Sequence, residues 1–184
     1  MRKISLLVTV LMTIWSGCNS SSRPIPPAKQ GDQGKEFELW LEEPSLQSSA
    51  NGTPLNEHSF YVEVADTDEL RQRGLAGREY LPSGKGMLFV MPAPTKMDMW
   101  MKGCLIPLDV LFFDQEKRLI NFHTMSVPLA GEAEADLPSY PSDKPAKYAL
   151  EVCAGTAQQL KLKQGLTIVI FSDELLKRLQ KGTE

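Results

Sequence analysis

The stretch LDVLFFDQEKRLINFHTM, from Leu108 to Met125, decides the fold of this chain. Leu108–Phe113 is apolar apart from one aspartate, and Arg118–Met125 carries aromatic and β-branched residues that favour a strand. Between them, Asp114–Lys117 has the polar composition of a turn. The stretch therefore predicts two neighbouring strands joined by a short turn.

The rest of the chain continues this pattern of short elements. Further strands are predicted at Phe60–Val64, Gly86–Met91, Asp98–Lys102, Lys147–Cys153 and Leu166–Phe171. Helices are predicted after the N-cap Thr67 and ending at Gly74, at Thr156–Leu162 and at Asp173–Lys181, with a surface loop over Pro128–Pro145. Six or seven strands with two or three short helices predict a mostly β (α+β) fold, a small antiparallel sheet curled into a barrel-like domain.

The N-terminus has the pattern of an export signal. Arg2 and Lys3 precede Ile4–Trp15, an uncharged and mostly apolar stretch too short to span a bilayer. Small residues before Cys18 resemble the lipobox of bacterial lipoproteins, which predicts acylation of Cys18, such as by palmitate. Asn19 then favours the outer membrane, facing the periplasm, by the same resemblance. The alternative is an ordinary secretory signal cleaved nearby.

Composition bounds the organisation and the partners of the chain. It has 184 residues, 42% hydrophobic and 23% charged, and a net charge of −3. This composition is ordinary for a globular protein. The sequence lacks a block of Lys and Arg residues, which would indicate nucleic-acid binding. We predict a signal peptide over 1–17, a lipidated N-terminus and flexible Ser/Pro/Gly-rich tether over 18–54, and one domain over 55–181. Within the tether, Phe37–Leu41 is either a short strand or an ordered arm.

Several motifs in order resemble one family, the bacterial and archaeal domain of unknown function one-nine-two. They are Arg73-Gly74-Leu75, Gly86–Val90, Met99–Lys102, Ile106–Asp114, Tyr148–Glu151 with Gly155, and Gly165. The resemblance implies a compact, mostly β, barrel-like fold that is often secreted, and no established reaction. Two positions depart from the family pattern: Ala76 replaces a Met, and Gly103-Cys104 replaces Asn-Thr.

Charged residues lie inside these otherwise apolar motifs. A buried charge is costly unless it is paired, so such positions carry either a structural or a functional role. One hypothesis is a ligand-binding cleft with Trp100 as a flat wall, formed by Arg73, Trp100, Lys102, Asp109 and Glu151. The alternative is a structural ion-pair network, or Asp109 bonding backbone amides at a strand end.

Sulfur-containing residues give two further hypotheses. Met97, Met99 and Met101 recur at strand period, and thioethers suit Cu(I), with Cys104, His123 and Met125 as further ligands. The alternative is that the methionines fill core space. Cys104 and Cys153 either form a disulfide in an oxidising compartment or stay as buried thiols. A cysteine nucleophile lacks an evident base, because mid-strand His123 is typical of a packed histidine.

The leading hypothesis for function is a membrane-anchored envelope lipoprotein whose β domain binds a small ligand or an envelope protein. Neither cofactor nor resident metal is expected in this reading. Two alternatives stay open. One is an enzyme acting on envelope polymers with Asp109 or Glu151 as acid/base, and the other is a periplasmic Cu(I)-binding protein using Met97, Met99 and Met101.

Overall fold

The computed structural model of the protein describes residues 34–43 and 57–181. Nine strands, three short α-helices and one 3₁₀ turn follow one another in these ranges. The strands are β1 (Phe37–Glu42), β2 (Glu57–Ala65), β3 (Lys85–Thr95), β4 (Asp98–Met99), β5 (Leu108–Phe113), β6 (Leu119–Met125), β7 (Tyr140–Pro141), β8 (Ala146–Cys153) and β9 (Ile168–Phe171). The helices are α1 (Asp68–Arg73), α2 (Thr156–Gln159) and α3 (Asp173–Lys181), and the 3₁₀ turn is Glu134–Asp136.

Seven strands form one curled sheet in the order β6-β5-β8-β3-β2-β1-β9. Its two edge strands approach each other, since Arg118 forms an isolated bridge with Ile168 and the Leu119 N–H donates to the Thr167 carbonyl at 2.8 Å. The result is a half-barrel, which confirms the mostly β, barrel-like class. One detail differs from the prediction: β2 and β3 pair in parallel, because the chain crosses over between them through α1.

The sheet buries side chains on both faces, so the domain has two cores. On one face, which we call the helix core, α2 and α3 cover residues such as Leu39, Leu111 and Val152. On the other, which we call the loop core, the connections Leu75–Leu81 and Met97–Ile106 cover Met87, Val110 and Cys153. This explains why β5 has no exposed position: both of its faces are covered.

Local sequence signals position several elements as predicted. The Thr67 hydroxyl accepts the Leu70 N–H at 3.2 Å and begins α1, and Gly74, with φ 49°, ends it. Gly86 allows β3 and β8 to pack closely, because a Cβ there would lie 2.4 Å from the Glu151 carbonyl oxygen.

Several elements differ in extent from the prediction, and three of the differences affect the sheet. β3 continues through Pro92 and Pro94 to Thr95, because its register with β8 shifts after Val90 and releases the prolines from pairing. The predicted strand Asp98–Lys102 shortens to β4, which pairs with β7 from the predicted loop. β1 agrees with the strand alternative for Phe37–Leu41 and adds this part of the predicted tether to the sheet.

The predicted signal peptide, Cys18 and the remainder of the predicted tether lie outside the described residues. Within the ranges 34–43 and 57–181, none of the helices has the length and apolar character needed to cross a membrane.

Candidate functional site

Asp109 is a structural carboxylate. It is fully buried on β5, and its Oδ1 accepts the Thr124 hydroxyl at 2.7 Å while its Oδ2 accepts the Ala157 N–H at 2.8 Å. Thr124 lies on β6 and Ala157 on α2, so the carboxylate ties the edge strand and the short helix to the sheet. The alternative interpretation of Asp109, a carboxylate that bonds a backbone amide, therefore agrees with its contacts.

Glu151 is buried without such partners. It lies on β8 between Met87 of β3 and Val110 of β5, and only 4% of its surface is exposed. Among the described residues, none forms a hydrogen bond with its carboxyl group. Burial raises the pKa of this carboxyl from 4.5 to about 8, so the neutral acid is the main form at pH 7.

The two acids point to opposite faces of the sheet. Asp109 is paired with Val152, which belongs to the helix core, whereas Glu151 is paired with Val110, which belongs to the loop core. A shared active site would need both carboxyls on one side. The geometry therefore argues against an acid/base pair made of Asp109 and Glu151.

Trp100 and Lys102 form an exposed cluster of their own. The Lys102 ammonium lies 5.4 Å from the Trp100 ring centroid and 2.7 Å from a carboxylate oxygen of Glu134, and all three side chains are well exposed. Glu134 belongs to the 3₁₀ turn of the long loop. Trp100 and Lys102 thus lie together at the surface, apart from buried Asp109 and Glu151, and neither groove described below is lined by any of these four residues.

The methionines gather in the loop core. Met87, Met97, Met101 and Met125 are buried there, and Met91 and Met99 pack against it. This agrees with core filling, which is what flexible thioethers do well. In the described part of the chain, no group of three or more His, Cys, Asp or Glu residues is arranged to hold a metal ion. The Cu(I) hypothesis involves thioethers and stays a prediction.

Of the two alternatives for Cys104 and Cys153, the disulfide between them is not formed, because Cys104 is a free, buried thiol. The Cys153 sulfur lies 3.1 Å from the Leu81 carbonyl oxygen, against a different segment. Burial raises the pKa of the Cys104 thiol to about 11, and the neighbouring Glu151 carboxyl adds to the rise. A thiol held in its protonated form is a poor nucleophile.

His123 is a packed residue. Its Nε2 lies 2.8 Å from the Pro141 carbonyl oxygen, and its ring contacts Phe112 and Tyr140. These contacts join β6 to β7. They agree with the expectation that His123 is a packed histidine.

Arg73 lines an open groove of about 550 Å³ between α1, α3 and the start of β1. We call it the cationic groove. Its apolar lining is Phe37, Val64, Leu70 and Met87. Its charged lining is Lys35, Glu63, Arg73, Glu174, Lys177 and Arg178. Cations outnumber carboxylates, so the groove favours an anion.

The rim of the cationic groove is organised by ion pairs. Lys35 pairs with Glu174 at 2.5 Å, and Arg178 pairs with Asp66 through two contacts of 2.7 and 3.1 Å. Lys177, by contrast, is exposed, and the described residues provide it with no ion pair. The rim therefore keeps at least one ammonium available to a ligand.

Sequence reasoning identified Arg73 and missed the other groove residues. Lys177 and Phe37 lie in segments far apart along the chain, and neither segment carries a recognisable motif. Arg73 and Met87 each lie within a family-like motif, and these two motifs were the sequence signals that pointed here. A second groove of about 390 Å³, which includes Glu42, His58 and Lys161, contains no predicted site residue.

The described residues form a small half-barrel domain with a cationic surface groove, and the sequence matches one family model. The family DUF192, described as "Uncharacterized ACR", matches residues 50–170. The chain belongs to this family, which confirms the resemblance seen in its motifs.

Two solved structures resemble this chain over most of its length. A protein from Sinorhizobium meliloti, described provisionally as a transcription regulator, is 27% identical with a TM-score of 0.60, covering 77% of this chain and 98% of its own. A protein of unknown function from Novosphingobium aromaticivorans is 25% identical with a TM-score of 0.58, covering 74% and 85%. No curated protein matches.

Proposed function

We propose that this protein is a lipid-anchored module of the cell envelope that binds a small anionic ligand with an apolar body. The observation that carries the ligand class is the cationic groove, where the exposed side chains of Arg73 and Lys177 border an apolar lining that includes Phe37 and Met87. The groove takes the place of the cleft expected around Trp100, Lys102 and Asp109.

Size and chemistry support a small molecule as the occupant. A volume of about 550 Å³ lies within the range of about 300–1,000 Å³ typical of ligand pockets. An anionic head would interact with the guanidinium of Arg73 and the ammonium of Lys177. An apolar body would cover Phe37, Leu70 and Met87, which line the groove together.

The anchor rests on the N-terminal sequence. The basic start, the short apolar stretch and Cys18 are typical of an exported lipoprotein, and several acyl chains on Cys18 would hold the domain at a membrane. Mass spectrometry of the native protein should find an acylated Cys18 at the mature N-terminus. Cys18→Ser should move the protein to the soluble periplasmic fraction, and an unmodified Cys18 in the native protein would contradict the anchor.

Octanoate, a carboxylate with an apolar chain, is the probe for the groove. Isothermal titration should show binding to the wild-type protein and at least tenfold weaker binding to the double variant Arg73→Ala/Lys177→Ala. Lys96→Ala/Lys144→Ala is the matched control, since it removes two exposed cations outside the groove. Equal weakening in both double variants, or no binding to the wild type, would refute the proposed site.

A further inference from the structure

The Glu151 carboxyl is a buried polar group for which the described residues supply no hydrogen bond. An acid in this position destabilises the folded state, because it loses its hydration without gaining a partner. Natural chains concentrate such unfavourable groups at functional sites. Asp109, which is equally buried, shows that this sheet can satisfy a carboxylate where the role is structural.

Glu151 lies next to the cationic groove in a row across three strands. Glu151 of β8 is paired with Met87 of β3, and Met87 is paired with Glu63 of β2, so the three side chains share the loop-core face. Met87 and Glu63 both line the groove. Only the Met87 side chain therefore lies between the groove and Glu151 in this row.

The Glu151 carboxyl is not completely sealed. In the described part of the chain, no fully enclosed side-chain oxygen lacks a hydrogen-bond partner. Since its oxygens have no described partner, the 4% of Glu151 that is exposed includes these oxygens. Met87 is unbranched and has three rotatable side-chain bonds, so a change of its rotamer would move the side chain that separates the groove from Glu151.

We propose that Glu151 binds the ammonium group of a zwitterionic ligand, whose anionic end is held by Arg73 and Lys177 and whose short apolar stretch crosses Met87. This inference rests on the proposed function and specifies its ligand class. The positive and negative groups of the ligand are separated, because the cations lie at the open rim and Glu151 lies beyond the apolar lining.

An ammonium group would supply the hydrogen-bond donors and the positive charge that Glu151 lacks. When it enters, the carboxyl releases its proton to solvent, and the carboxylate accepts charge-assisted hydrogen bonds from the ammonium. Both charges are desolvated, so the gain requires close contact between them. An anion at this position would form no ion pair with Glu151, and it would be repelled once the carboxyl ionises.

The test compares three probes with one chain length: octanoate, 8-aminooctanoate and N-acetyl-8-aminooctanoate. The wild-type protein should bind 8-aminooctanoate at least tenfold more tightly than the other two at pH 7. In Glu151→Gln, which keeps the side-chain shape and removes the charge, the ratio between 8-aminooctanoate and octanoate should fall to about one. Glu79→Gln, which alters an exposed carboxylate outside the groove, is the matched control and should keep the ratio.

The outcomes separate this inference from the proposed function. If octanoate binds through Arg73 and Lys177 and the amine adds nothing, the ammonium site is wrong and the anionic groove stands. If the preference for the amine survives in Glu151→Gln, another group binds the ammonium and the assignment to Glu151 is overturned. If none of the three probes binds the wild-type protein, both proposals fail.

Discussion

Asp109 and Glu151 are buried acids on neighbouring strands, and they lie in opposite chemical situations. Asp109 faces the helix core and accepts two hydrogen bonds, whereas Glu151 faces the loop core and accepts none from the described residues. Burial raises the pKa of Glu151 to about 8 and leaves it mostly protonated at pH 7. Burial alone therefore does not define the role of an acid: the partners do.

The difference also separates stability from function in this domain. The contacts of Asp109 join β5, β6 and α2, and any ligand would have to break the fold to reach it. Glu151 is adjacent to Met87 and hence to the cationic groove. Glu151 lacks a hydrogen-bond partner among the described residues, so a ligand can supply one.

The largest expected effect follows from removing the satisfied acid. Asp109→Ala should lower the free energy of unfolding by about 3–5 kcal/mol, because two hydrogen bonds to a charged group are lost and the Ala157 N–H is left without its acceptor. Urea denaturation at pH 7 measures it. Asp143→Ala, at an exposed aspartate, should change stability by less than about 0.5 kcal/mol. A similarly small effect for Asp109→Ala would contradict its structural role.

Glu151→Gln should have the opposite effect on stability: it should raise the free energy of unfolding above pH 8. The unfolded carboxyl loses its proton near pH 4.5, and the folded one keeps it up to about pH 8, so wild-type stability should fall as pH rises between these values and level off above them. Glu151→Gln removes this contribution and should be more stable than the wild type at pH 9 by up to about 4–5 kcal/mol, with little difference at pH 4. Parallel stability curves for the two proteins would show that Glu151 has no shifted pKa.

The Cys104 thiol reports on the charge of Glu151. Because burial and the Glu151 carboxyl raise the pKa of the thiol to about 11, its alkylation by iodoacetamide at pH 9 should be at least about 50-fold slower than that of an unfolded thiol. Replacing the carboxylate in Glu151→Gln should accelerate the reaction about two- to fivefold. Peptide mapping by mass spectrometry measures the rate at this cysteine. An unchanged rate would mean that the two groups do not interact.

The smallest effect is expected at the exposed charges of the family-like motifs. Lys102→Ala breaks contacts with Trp100 and Glu134, and both are solvent-exposed, so stability should change by no more than about 0.5 kcal/mol. Thermal denaturation with Lys144→Ala as reference checks this. A loss above about 1.5 kcal/mol would place Lys102 with Asp109 among the structural charges.

Much of the fold could be predicted, since it depends on local signals. β5 and α3 have the predicted bounds, and Thr67 and Gly74 cap α1 as their residue types favour. The disulfide alternative for Cys104 was wrong, because it required a distance between two segments that are remote in sequence. The five-residue cleft depends on distances of the same kind and stays a prediction, although neither groove described here brings these residues together. The cationic groove escaped prediction because β1, α1, β3 and α3 each contribute only a few residues to it.

By itself, the sequence determined which residues form strands and helices, and that a few charges lie inside apolar motifs. It could not determine the face on which each charge lies. Along a strand, successive side chains point to opposite sides, and in β5 both sides are buried, so no polar stripe indicates which face an acid occupies. Only strand register and the packing of α2 decided that Asp109 finds partners while Glu151 lies beside a groove without them.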